Sequence, residues 1–241
     1  MDIQETEELL GRPRFAVYLH AMNDDPTEAV RLYRWNAEVA AEFHKHTALF
    51  EVIMRNAIDR GLSRWNQEQF AAGHLLGPDW TEQRGAGNAL YRAIGRKIAD
   101  ARNSADRISR NRPIGHPRRG TTPNHDDVLS TLMFGTWTQL IVGLDRFPAP
   151  QIHLWSEALS LVFAGTQLKG DDARVDIGRK LNLIRLERNR AAHHESFLAV
   201  KPLHRLNDML AVLAAINPRY PDWFMQRSNL RNLVEQDPRR I

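Results

Sequence analysis

The sequence has no cysteine, which removes a disulfide framework, a thiolate metal site and a thiol nucleophile together. A chain without cross-links fits a reducing compartment. No run approaches the roughly 18 apolar residues of a membrane-spanning helix. The opening MDIQETEELLGR is acidic and lacks the basic start and apolar stretch of a signal peptide. The expectation is a cytoplasmic protein with no membrane partner. Strand signals are scarce: β-branched residues never alternate for long, and no Asn-Gly or Asp-Gly hairpin turn occurs. Familiar catalytic templates are missing as well. There is no GxSxG elbow, GAG at 85–87 lacks the Lys-Ser/Thr of a phosphate loop, and no His-Glu-x-x-His pair is available for zinc. Lysine too is rare, 5 against 28 arginines, a skew that a GC-rich genome produces without any selection for phosphate binding.

What remains is a 241-residue chain, 42% hydrophobic, long and apolar enough to bury a sizeable core. Its periodicity is helical throughout. Pro26 and Thr27 open a helix whose core face runs through Phe43, Phe50, Ile53 and Ala57, with Gly61 as its expected stop. A second helix is predicted over residues 88 to about 107. Residues 110–127, RNRPIGHPRRGTTPNHDD, then read as a loop, because three prolines and two glycines do not sit in a helix interior. Asn124 or Asp126 caps a further helix carrying Val128, Leu132, Met133, Trp137, Leu140 and Ile141. FPAP at 147–150 breaks it, and helices follow over 151–163, 173–194 and 203–216, the last ended by Pro218 and Pro221. The prediction is a single all-α domain over residues 1–241 with a basic insertion at about 84–127. Net charge is only +4, yet residues 84–119 hold ten Lys or Arg against Asp100 and Asp106, a net of +8 that leaves −4 for the rest. That imbalance is the footprint expected for a polyanionic partner.

One stretch concentrates chemistry: RLERNRAAHHESF at 185–197. On a helical wheel Ile177, Leu181 and Ile184 share one face, Ala191 and Ala192 extend it, and Arg188 falls in its middle. A guanidinium keeps its proton, so there it needs a groove or an acidic partner, and Glu51 is one candidate. His193 lies about 140° round from Arg188, with Asn189 one turn before it. Charged groups at a helix C-terminus also complement the macrodipole without further purpose. A metal is not expected: adjacent histidines His193 and His194 diverge by about 100°, and His44 and His46 likewise point apart on their helix. An arginine with a histidine remains, a pair suited to metal-free cleavage of RNA.

The string from Arg188 to His193 matches the Arg-x4–6-His pattern of HEPN ribonucleases, and the wider RNRAAHHE resembles the RNxxAHH signature of the Abi-like (abortive infection) proteins of bacteria. LYRWNAEVAAEFHKHTALFEVIMRNAI at 32–58 and LMFGTWTQLI at 132–141 are similar to that family's N-terminal block and middle segment. The resemblance implies a HEPN-like helical bundle with additional helices, acting as a homodimer. It implies phage defence through RNA cleavage, toxin-like, with a regulatory small RNA or an antitoxin as further partners and no cofactor.

In that reading the ribose 2′-hydroxyl attacks phosphorus and leaves a 2′,3′-cyclic phosphate. His193 serves as general base or acid, since imidazole titrates near neutral pH. Arg188 binds the scissile phosphate, Asn189 orients the imidazole, and His194 is the alternative catalytic histidine. Arg110, Arg112, Arg118 and Arg119, on a flexible loop, and Arg190 would track RNA phosphates. Glu51 and Arg55 form an i,i+4 pair that clamps two helices, or else Arg55 and Asn56 enter the phosphate cleft. Trp35 and Trp137 read as core. Two other readings stay open: a non-catalytic RNA-binding or toxin–antitoxin partner protein of the same fold, and a helical module that binds nucleotides or protein.

Overall fold

The computed structural model describes residues 3–71, 73–143 and 149–240, and helices dominate it. Two short ones, α1 (Ile3–Leu10) and α2 (Arg12–Ala21), precede the 41-residue α3 (Pro26–Asn66). Asp25 caps α3: its Oδ1 accepts from the Thr27 and Glu28 N–H groups at 2.9 and 3.1 Å, and Pro26 presets the first turn. Gly61 does not end the helix. A Cβ there would overlap the Val162 side chain, so this glycine serves a close helix approach inside α3 instead of a stop.

A two-residue hairpin, β1 (Phe70–Ala71) with β2 (His74–Leu75), leads towards α4 (Asn88–Asn111), which kinks at Ile94. Next come α5 (His125–Thr131) and α6 (Phe134–Val142). They form two helices where one was expected, because Leu132 and Met133 are both extended. Asn124 is the cap, in a reciprocal capping box with Asp127. Phe147 and Pro148 of the expected FPAP break lie outside the described residues. The chain continues through α7 (Ala149–Leu154), a π turn (Trp155–Leu159) and α8 (Ser160–Val162) to α9 (Gly170–Ala192). The end is built by α10 (Pro202–Ile216), α11 (Tyr220–Met225), α12 (Leu230–Glu235) and a 3-10 turn (Pro238–Arg240). Among the described residues no helix is long and apolar enough to cross a membrane.

One hydrophobic core runs from Phe15 to Val234. Trp35 and Trp137 belong to it, the former donating its Nε1–H to the Leu233 carbonyl at 2.7 Å. α9 lies against α3, α6 and α10, burying Ile177, Leu181 and Ile184. Each such side chain stabilises by roughly 1.5–3 kcal/mol on burial. The stripe therefore fixes the rotation of α9, and with it the directions in which Arg188 and His193 leave the helix.

The segment 112–124 is tied to its neighbours by hydrogen bonds and ion pairs. Ser109 donates to the Thr121 and Arg118 carbonyls at 2.7 and 3.2 Å. Arg112 reaches Asp127 at 3.2 Å, and Arg118 grips the same carboxylate from its other side.

Candidate functional site

Arg188 stands where the apolar stripe of α9 runs out over α3. Its side chain is 35% exposed, with Nη2 3.9 Å from Glu51 Oε2, so the acid singled out as partner is the one it faces. The pair is long, and Nη1 bonds only Asn189 Oδ1 at 3.4 Å. Burial lifts the Glu51 carboxyl above the usual range, against the pull of Arg188, Arg55 and the Phe134 N–H. That N–H opens α6, so the break between α5 and α6 aims a helix N-terminus at Glu51. The expected Glu51–Arg55 pair does not close within ion-pair distance among the described residues. Arg55 lies 3.5 Å from the exposed Asn56, and the clamp between α3 and α9 runs through Glu51 and Arg188.

α9 ends in a Schellman motif: the Glu195 N–H bonds the Arg190 carbonyl at 2.9 Å and the His194 N–H bonds that of Ala191 at 3.1 Å. His194 occupies the left-handed position at φ 55°, where glycine is the usual residue. His193, the C-cap, is exposed, and its ring hydrogen-bonds to no described residue. The Asn189 side chain turns to Arg188, so the predicted Asn189 bond to the His193 ring is not formed; only the His193 N–H reaches the Asn189 carbonyl, at 2.9 Å. Arg190 pairs with Glu195 at 3.1 Å. Within one protomer no bond joins Arg188 to His193 among the described residues.

The left-handed turn swings His194 to the lip of a cleft of about 670 Å³ between α2, α3 and α9. Facing it are Arg14, Tyr18, Tyr33, Asn36 and His44, over a floor of alanines that includes Ala40 and Ala191. Arg14 donates to the His194 carbonyl. Tyr18 and Tyr33 meet edge to face at 5.0 Å, and burial raises the Tyr18 hydroxyl's pKa despite its bond to Ser196. His44 and Glu51 are seven residues apart on α3, so they lie on one face about 10 Å from each other. The crease between α3 and α9 thus carries Arg55, Arg188 and Glu51 at one end and His44, His194 and Arg14 at the other.

Sequence reasoning took His44 and His46 as a diverging pair, and they do diverge. His46 is buried, with its ring nitrogens 2.8 Å from the Glu42 carbonyl and 2.9 Å from Ser228 Oγ, while His44 opens into the cleft. Nothing in the spacing marked Arg14 or Asn36, which reach the cleft through tertiary packing alone.

Of the basic segment, Arg112 and Arg118 are spent on Asp127 and Arg110 on Asp106. Arg84, Arg92, Arg96, Lys97, Arg107 and Arg119 form no ion pair among the described residues. Arg96 and Arg107 fall on one side of α4 beyond its kink, Arg92 precedes the kink, and all three are exposed.

Two charged clusters escaped the sequence reading. His125 is held between Asp59 and Asp79, both at 2.8 Å. The Asp59 bond foremost, then Asp79, push its imidazole up to about 9 against the effect of burial. On α9, Glu187 faces Arg205 at 3.8 Å, which also meets Asp208 at 3.1 Å. Burial pushes Glu187 up to about 7. No family model, curated protein or solved structure matches the chain.

Proposed function

We propose that this protein is a metal-independent endoribonuclease of the HEPN type, acting in phage defence as a homodimer. The observation that carries the reading is the RNRAAHHE string at the end of α9, with Arg188 only loosely held by Glu51 at 3.9 Å. A guanidinium with one distant carboxylate and one long bond to Asn189 keeps most of its five N–H donors for a phosphate. The exposed imidazole of His193 is free to exchange a proton with a ribose 2′-hydroxyl or a leaving 5′-oxygen. Attack of the 2′-oxygen on phosphorus expels the 5′-oxygen, which takes up a proton, and leaves a 2′,3′-cyclic phosphate.

Arg188 and His193 diverge within one chain, so this chemistry calls for a second copy whose motif completes the first. The outer face of α9 suits such a contact, since Val175 and Leu186 are exposed there in line with His193 at helical spacing. The same divergence favours a second reading, a non-catalytic RNA-binding partner of a toxin–antitoxin pair.

Labelled RNA incubated with the protein in EDTA separates the two. The nuclease yields cyclic-phosphate ends, and Arg188→Ala and His193→Ala each slow cleavage about a hundredfold or more while the protein stays folded. Full activity in His193→Ala together with loss in His194→Ala transfers the proton-transfer role to His194. RNA bound but never cut by the wild type leaves the second reading.

A further inference from the structure

Asn36 is only 6% exposed and lines the cleft. Its Oδ1 accepts from the Phe197 N–H at 2.7 Å, which fixes the amide orientation. The Nδ2 group then makes no hydrogen bond to any described residue. This donor is not sealed from solvent, so it stays open to an acceptor that enters the cleft. Around it stand Tyr33, half-buried, and the Arg14 guanidinium, which spends a single N–H on the His194 carbonyl. His44 and His194 complete the rim. The one carboxylate at the edge, Glu195, is paired with Arg190. The cleft therefore offers a donor at its base, aromatic edges on one wall and cationic or proton-donating groups at its mouth, over a floor kept open by alanines. That arrangement fits an anionic group joined to a planar, acceptor-bearing ring, and the volume lies in the range of small-molecule sites.

We propose that this cleft is a ribonucleotide subsite. It takes one unpaired nucleotide of an RNA strand, with the base against Asn36 Nδ2 and Tyr33 and its phosphate among Arg14, His44 and His194. The inference deepens the nuclease reading and rests on it for the choice of RNA. The crease sets the strand's course: the nucleotide lies at the His194 end and the chain continues towards Arg188. Base contacts at an aromatic wall with one amide donor are those used for single-stranded nucleic acid.

The test uses the full chain and a 2′-O-methyl pentanucleotide, which cannot be cut through its 2′-oxygens. On titration the His44 and His194 ring signals shift in the NMR spectrum. His44→Ala and Arg14→Gln, both at exposed positions, weaken binding about tenfold or more with melting temperature unchanged. Asn36→Asp keeps an acceptor for the Phe197 N–H, loses the donor and weakens binding as well. Wild-type affinity in both His44→Ala and Arg14→Gln overturns the subsite, as does RNA binding that leaves the two histidine signals in place, or no binding at all. A wild type that binds in the cleft but never cuts RNA ends the nuclease reading while the subsite stands. Cleavage at an undiminished rate in both variants removes the subsite while the nuclease stands.

Discussion

Glu187 and Arg188 are consecutive, yet their surroundings are opposite. Arg188 looks onto the open crease, whereas Glu187 turns into the contact with α10, where its Oε2 has no hydrogen-bond partner. Burial and nearby Asp208 disfavour its charge more than Arg205 and Arg190 favour it, so the carboxyl titrates at about 7. The expected outcome for Glu187→Gln follows from that sign. The neutral amide mimics the protonated acid, so the variant gains stability relative to wild type as pH rises from about 4.5 to 7 and the gain then levels off. Melting curves at half-unit pH intervals check this, and a difference that stays flat across the range refutes it. Residue-scale chemistry was partly legible in the sequence. An arginine on a core stripe demands an anion, and that requirement pointed to Glu51. Asn189 turns to Arg188 instead of the His193 ring, since i,i+4 spacing predicts proximity to His193 but not the competing pull of the adjacent guanidinium. Asn36, Arg14 and Glu187 were invisible, since each takes its character from an element far away in the chain.

Elements were read better in their interiors than at their joints. The apolar stripes of α3 and α9 and the Asn124 cap follow from spacing and cap chemistry alone. Gly61 misled because a glycine required for helix–helix approach looks the same as one that ends a helix. The break before Phe134 left no mark either, as neither proline nor glycine falls at Leu132 or Met133. Of residues 110–127, read as a flexible loop, the stretch 112–124 is non-helical, and it is anchored by Arg112 and Arg118 through Asp127, the last residue of that span, in the capping box of α5. This pairing changes which cations an RNA strand can use. Arginines already neutralised by a half-buried aspartate release few counterions, while those exposed along α4 release theirs in full. Replacing Arg92, Arg96 and Arg107 with Gln should therefore flatten the slope of log K against log salt by about 2, at about 0.7 for each single-strand phosphate contact. Arg112→Gln with Arg118→Gln should change that slope little and instead lower the melting temperature. The reverse ranking would return the RNA path to the segment after α4.

At the scale of the whole molecule the buried charges set where in pH the fold is most stable. Several carboxylates, including Asp79, Asp127, Asp176 and Asp237, are burdened by burial but held below their usual range by hydrogen bonds and neighbouring cations. Their contribution is present above the ordinary aspartate range and is lost on acidification. Glu187 and His125 act in the opposite sense, because each binds its proton more tightly folded than unfolded. The Glu187 contribution is complete below about 4.5 and gone above about 7; that of His125 is complete below about 6.5 and lost as pH rises through about 9. Stability should thus peak near about pH 5 and fall towards pH 9, far from the isoelectric point of 9.7. The two limbs are separable. Glu187→Gln shrinks the decline between about 4.5 and 7, to which the raised Glu51 also contributes, and leaves the upper limb, whereas His125→Gln removes the decline above about 6.5. The second variant also leaves Asp59 and Asp79 without the cation they share, at a cost on the order of 2–3 kcal/mol below pH 6. A wild-type melting temperature that climbs from pH 6.5 to 9 would show that His125 is not the protonated link between α3, the Asp79 turn and α5, and that the surface on which α4 rests is held by other contacts.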